Sequence, residues 1–284
     1  MTESSSALPP AGSSPSAAGS EAAPARDHRV AVFAKVSDPH ILAELLARVL
    51  GEHPLDALMQ SRRTPSVLPV RMTAEQAAEL VRLLDGVGWR AASVADGVLP
   101  DLENAMVVHH ARFEPEQLVI LDLYGAPSEA IPWERIAVLA IGEVPGEPTQ
   151  HYPDAVRPSV VSAAPLPSTP RLETPAARQL ELWLLTRHPA RAYRLDHRRF
   201  NYDCLEERKT ASATANFELF ARLLSERATS ARWTPSTHAY LCHESHSKYE
   251  FASAAELQEH ALVHWVIDHC VVDDAVEGQG ARDA

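Results

Sequence analysis

The 284 residues include 26 lysines and arginines against 38 aspartates and glutamates, a formal charge of −12, and so acidic a chain argues against general nucleic-acid binding. The length suits two domains of ordinary size, each with its own core. Cysteine occurs at Cys204, Cys242 and Cys270 only, neither a dense disulfide framework nor a paired metal motif, which favours a reducing cytoplasm. Glu3 stands where a signal peptide would be basic, and no run approaches the roughly 20 apolar residues of a bilayer span.

Residues 1–27 are mostly Ser, Ala, Pro, Gly and Glu, too poor in large apolar groups to offset the entropy of ordering, and read as a disordered tail. A first module follows over 28–97. His28 to Val36 predicts a strand, and Asp38-Pro39 supplies an N-cap with proline at the first helical position. Ile41, Leu42, Leu45, Leu46, Val49 and Leu50 then recur on one helical face up to Gly51. His53-Pro54 opens a short helix through Met59, and Ser66 to Arg71 reads as a strand with an edge-type proline. Thr73 and Gln76 form a capping box for a helix from Ala74 to Asp85, and Trp89 to Val94 returns as a strand. The order β-α-α-β-α-β predicts a small open sheet with helices on one face.

A second module is expected over 104–268, after the connection Gly97 to Glu103. Ala105 to Phe113 reads as a strand. Leu118 to Val144 reads as a hairpin of two apolar runs joined by a polar turn, with Pro132-Trp133 entering the second. Prolines 145, 148, 153, 158, 165, 167, 170 and 175 mark residues 145–175 as an extended insertion. Two strands alone are marginal in water, so the hairpin should pair with strands beyond that insertion, Gln179 to Thr186 and Ala192 to Asp196. A helix is expected over Phe217 to Glu226, then a hairpin of Thr237 to Cys242 and Lys248 to Phe251 turned at His243 to His246, then a helix capped by Ser253 and Glu256. Residues 269–284 read as an acidic, flexible tail. The fold class is α+β, its second part mostly antiparallel β as a barrel or sandwich with one or two packed helices.

The stretch TPSVLPVRMTAEQAAELVRLLDGVGWRAASV resembles the C-terminal domain of the bacterial ribosomal stalk protein and the related fold of Clp-protease adaptors: a proline-entered strand, a threonine-capped helix, a glycine stop and a short strand. The resemblance implies a docking module that presents a helical face to another protein. HPLDALMQSRR stands where the stalk domain has its glycine- and lysine-rich helix, so ribosomal function does not carry over. LVILDLYG, IPWERIAVLAIGEV and the later amphipathic helix make the second module similar to a bacterial pleckstrin-homology-like domain, which implies binding of peptides or lipid headgroups.

Two clusters invite chemistry. Arg187, Arg191, Arg194, Arg198 and Arg199 concentrate positive charge among Tyr193, Phe200 and Tyr202, and guanidinium forks suit phosphate or carboxylate; against that stands a solvated edge balanced by Asp196, Asp203, Glu206 and Glu207. Cys242, His246, His260 and His264 could hold zinc, His260 and His264 being one helical turn apart, while 14 histidines spread over the chain make chance clustering the alternative. His243-Glu244-Ser245-His246 has the wrong spacing and context for a zinc-hydrolase helix. Acidic neighbours Glu206 and Glu207 make Cys204 an inert thiol, and Trp133, Asn201 and Tyr202 read as packing and strand-end residues. Phosphate-cradling, dinucleotide and nucleophile-elbow motifs are missing. The expectation is a non-enzymatic cytoplasmic adaptor whose partner is another protein, without a cofactor; an anion or headgroup binder on the arginines, or a metal-dependent enzyme on the His/Cys cluster, are the alternatives.

Overall fold

Residues 25–61, 64–146 and 177–280 are described by the computed structural model. The expected disordered tail up to residue 24, nearly all of the proline-rich insertion and the last four residues lie outside them. No helix among the described residues is long and apolar enough to cross a membrane.

The first module follows the predicted order: β1 (His28–Val32), α1 (Pro39–Leu50), α2 (Pro54–Ser61), β2 (Ser66–Val67), α3 (Ala74–Gly86) and β3 (Ala91–Ala95). Local chemistry sets the helix ends. The Asp38 carboxylate accepts from His40 N at 2.9 Å, Gly51 closes α1 at φ 70°, and Thr73 and Gln76 satisfy each other's backbone N–H groups. The sheet is antiparallel in the order β2-β1-β3. Val30 and Val32 face Leu42, Leu46, Leu80 and Leu84 of α1 and α3. Ala31 points the other way.

That other face corrects the expectation of helices on one side only. Ala31, Val67 and Val94 pack in one cluster with Leu257 and Ala261 of α6 (Ala254–Gly280) and with Val138, Trp183 and Leu185 of the second module. An apolar Ala31 on a strand whose neighbour valines already fill one core needs this second cover. α6 is thus the layer between two sheets. The last helix also runs through Gly280, where an acidic tail was expected from residue 269.

The second module contains β4 (Met106–Val107), β5 (His110–Phe113), β6 (Gln117–Leu121), β7 (Pro127–Pro132), β8 (Ile136–Pro145), β9 (Arg178–Thr186), β10 (Ala192–Asp196), α4 (Ala213–Arg227), β11 (Arg232–Trp233) and α5 (Pro235–Leu241). Its strands are divided between a five-stranded sheet, β11-β8-β9-β10-β4, and a three-stranded sheet, β5-β6-β7. Leu180, Leu182 and Leu184 of β9 face the small sheet and α4, contacting a cluster with Leu118, Ile120, Phe217 and Phe220. Trp183 and Leu185 face α6. Cover on both faces explains the apolar runs Ile136–Ile141 of β8 and Leu182–Leu185 of β9. The pairing of β8 with β9 spans Ile136↔Thr186 to Pro145↔Arg178, so the proline-rich segment connects two adjacent strands.

Three sequence expectations fail here. The hairpin between Leu118 and Val144 is not one: β6 pairs with β7, and Trp133–Arg135 form a 3-10 turn that sends β8 into the other sheet. β7 was hidden because it is an edge strand, largely exposed and flanked by Pro127 and Pro132. The strand at Ala105 to Phe113 is broken, with β4 parallel to β10 and β5 paired to β6. Thr237 to Cys242 is helix, since Thr234 caps α5 by accepting from Thr237 N at 3.3 Å and Pro235 fills its first turn.

Sheet closure is absent among the described residues because the edge of β8 is occupied otherwise. β11 takes one stretch, and Phe251 N donates to Glu143 O at 2.9 Å farther along. Between them the Thr237 hydroxyl donates to Leu139 O and accepts from Ile141 N, both at 2.8 Å. One buried side chain stands in for a missing strand residue. Thr237→Val keeps the shape but strands Ile141 N and leaves Leu139 O with Thr234 N alone at 3.2 Å, so urea unfolding should show a loss of about 1–3 kcal/mol; an unchanged midpoint would remove this role. Gly142 permits the same closeness, as a β-carbon there would sit 2.6 Å from the Phe251 ring.

Candidate functional site

The five arginines do not converge. Arg187 and Arg191 lie at the turn of the β9–β10 hairpin, Arg194 is mid-strand, and Arg198 and Arg199 follow its far end. Five residues of β10 at about 3.3 Å each put more than ~15 Å between the two groups. Arg187 meets Asp268 of α6 through Nε–Oδ2 at 3.0 Å and Nη2–Oδ1 at 3.2 Å. It also donates to the carbonyls of Glu134, Ile136 and Ser230. Arg191 pairs with Glu129 at 2.6 Å, Arg194 with buried Glu181 at 2.7 Å, and Arg199 lies 3.8 Å from Asp196. Arg198 donates to Arg178 O. These side chains tie strands and helices together.

Of Cys242, His246, His260 and His264 only the last two share an element, α6, and no group of three or more His, Cys, Asp or Glu among the described residues is arranged to hold a metal. His246 sits against the Glu143 carboxylate and 3.5 Å from Glu250. Cys242 ends α5, exposed, with Sγ 3.7 Å from His238 Nε2. His260 and His264 stack edge-on at 4.8 Å along α6, and His260 Nε2 and His264 Nδ1 are buried without a hydrogen-bond partner. Burial pushes both imidazoles down to about 4, His264 further disfavoured by Arg232. A seam that desolvates two rings holds them neutral.

The remaining singled-out residues are structural. Burial pushes the Cys204 thiol up to about 12, consistent with an idle cysteine. Trp133 is buried and its Nε1 donates to Glu114 O and Pro115 O. The Tyr202 hydroxyl donates to His197 O at 2.8 Å, and Asn201 caps the following 3-10 turn.

What stands free is apolar surface. Leu55 and Met59 of α2, four residues apart and so on one face, are 64% and 72% exposed. Leu123 and Tyr124 at the β6–β7 turn are 74% and 96% exposed. The Asp122 carboxylate fixes that turn by accepting from Tyr124 N and Ala126 N, with Gly125 at φ 82°. None of the four is singled out by sequence reading, which assigns no face to the short helix through Met59 and gives no role to the turn that holds Leu123 and Tyr124. The Asp-x-x-Gly spacing of 122–125 was the available signal for a turn.

Comparison with models of known protein families, with curated proteins and with solved structures finds nothing similar to this chain.

Proposed function

We propose that the protein is a non-enzymatic adaptor whose first module docks another protein through α2. The observation that carries this reading is the exposed Leu55–Met59 stripe. α1 and the sheet take up the opposite side of α2 through Ala57 and Leu58, so the stripe is surplus to the core of its own module. Methionine at such a surface adapts to a partner's shape, and an apolar helical face fits a groove of similar character. A docking role also suits the architecture, in which α6 anchors the first module and leaves α2 on the outside.

Chemical cross-linking of the full chain in its native cytosol, with quantification by mass spectrometry, tests the proposal. A stoichiometric partner whose yield falls at least about tenfold in Leu55→Glu/Met59→Glu, yet holds in Leu123→Ser/Tyr124→Ser, is the expected result. Loss only in the second variant moves recognition to the hairpin tip and overturns docking through α2. Equal yields in both overturn it as well.

A further inference from the structure

α5 ends in an arrangement that the adaptor reading does not use. Cys242 Sγ lies 3.7 Å from His238 Nε2, one helical turn back, and His238 Nδ1 lies 3.3 Å from Glu244 Oε1. Glu244 is held in turn by Lys248 and by its own N–H, which donates to Ala239 O at 2.8 Å. The thiol is exposed. A nucleophile, a base within reach and a carboxylate that orients the base are the parts that activate a thiol. Glu244, accepting from Nδ1–H, fixes the tautomer that leaves Nε2 free to take the sulfur's proton.

We propose that Cys242 is a reactive thiol, activated by His238 and Glu244, that exchanges with low-molecular-weight disulfides and then carries a mixed disulfide at the exposed corner between α5 and α6. In the exchange His238 Nε2 accepts the thiol proton and Cys242 Sγ attacks one sulfur of the small disulfide. A new S–S bond forms as the old one breaks. The departing thiolate takes the proton from the His238 imidazolium and leaves as a thiol, so one half of the reagent is reduced while Cys242 is oxidised to the disulfide level. The exposed corner gives a small disulfide open approach. Cys204 and Cys270 are partly buried against two separate apolar clusters, leaving the site to resolve through an external thiol.

The reduced full chain, mixed with an aromatic disulfide reporter that releases a coloured thiol, reads the rate directly, and oxidised glutathione followed by peptide mapping locates the adduct. Cys242 should react at pH 7 at least about tenfold faster than free glutathione, and the fast phase should vanish in Cys242→Ser. His238→Gln should slow it about tenfold and move the pH–rate profile toward that of an ordinary thiol, with Glu244→Gln between the two. His238 is 60% exposed, so its replacement spares the core; His238→Asn and an unchanged circular dichroism spectrum guard against misfolding. A fast phase that survives Cys242→Ser, a rate no higher than that of glutathione, or a pH profile indifferent to His238 overturns the proposal.

Discussion

Replacing Arg194 with methionine should destabilise the protein by about 3–5 kcal/mol, because it leaves a carboxylate without its cation inside the fold. Glu181 is 0% exposed. Its Oε1 accepts from Arg194 Nη2 at 2.7 Å and Gln179 Nε2 at 3.0 Å, and its Oε2 accepts from Trp183 Nε1 at 3.2 Å. The sheet face on which it lies is the one that packs under α6, where water cannot restore the lost charge compensation. The double variant Glu181→Leu/Arg194→Met removes both charges and should recover most of the loss, short of the unpaired Trp183 and Gln179 donors. Urea unfolding of the two single variants and the double one measures this. An Arg194→Met variant within about 1 kcal/mol of the parent would show that the pair is not structural.

Acidification from pH 6.5 to 4 should weaken the fold through His260 and His264. In an unfolded chain both rings titrate near the ordinary 6.5; in the fold both are pushed down to about 4. Between those values the unfolded chain binds more protons. Stability is therefore whole above 6.5, falls as pH drops toward 4, and is no longer reduced further by these rings beneath it. Each ring taken singly corresponds to roughly 3 kcal/mol. His197, lowered by burial against the opposing pull of its hydrogen bond to the Leu180 backbone, adds to the slope in the same direction. His260 faces Phe251 at 5.3 Å and lines a cavity of about 410 Å³ with Glu256 and Glu259, while His264 faces Arg232. Charging both rings would put like charges 4.8 Å apart where α6 joins the two sheets. His260→Phe/His264→Leu should flatten most of the dependence of the urea midpoint on pH, leaving the contribution of His197. A slope undiminished in that variant would assign the acid sensitivity elsewhere.

The candidate site was less legible than the elements around it. The arginines form a run in sequence, yet a β-hairpin distributes them over two ends and two faces, and two of them meet partners from distant segments: Asp268 for Arg187, Glu129 for Arg191. Those acids carry no mark in the sequence that would assign them. The proposed zinc set fails for a related reason. His260 and His264 do share a face, as their spacing requires, but that face is covered by Phe251 and Arg232 rather than by Cys242. The Cys242–His238 contact depends on α5 being a helix, and reading Thr237 to Cys242 as a strand set the two side chains on the same face of a sheet with no hydrogen bond between them.

By itself the sequence determined the helix ends and the strand-helix order of the first module, because Asp38-Pro39, Gly51 and the Thr73–Gln76 box act within a few residues of backbone. It also determined that the apolar run of β8 should pair with a strand beyond the proline-rich insertion, since two strands alone bury too little surface. Only the tertiary structure decided which strands pair across Trp133, that β7 exists as a polar edge, and that α6 serves as a shared layer against Ala31, Val67, Val94, Val138 and Trp183. Capping and periodicity are local, whereas partner choice among apolar faces is a competition over the whole chain, settled by which arrangement excludes most water.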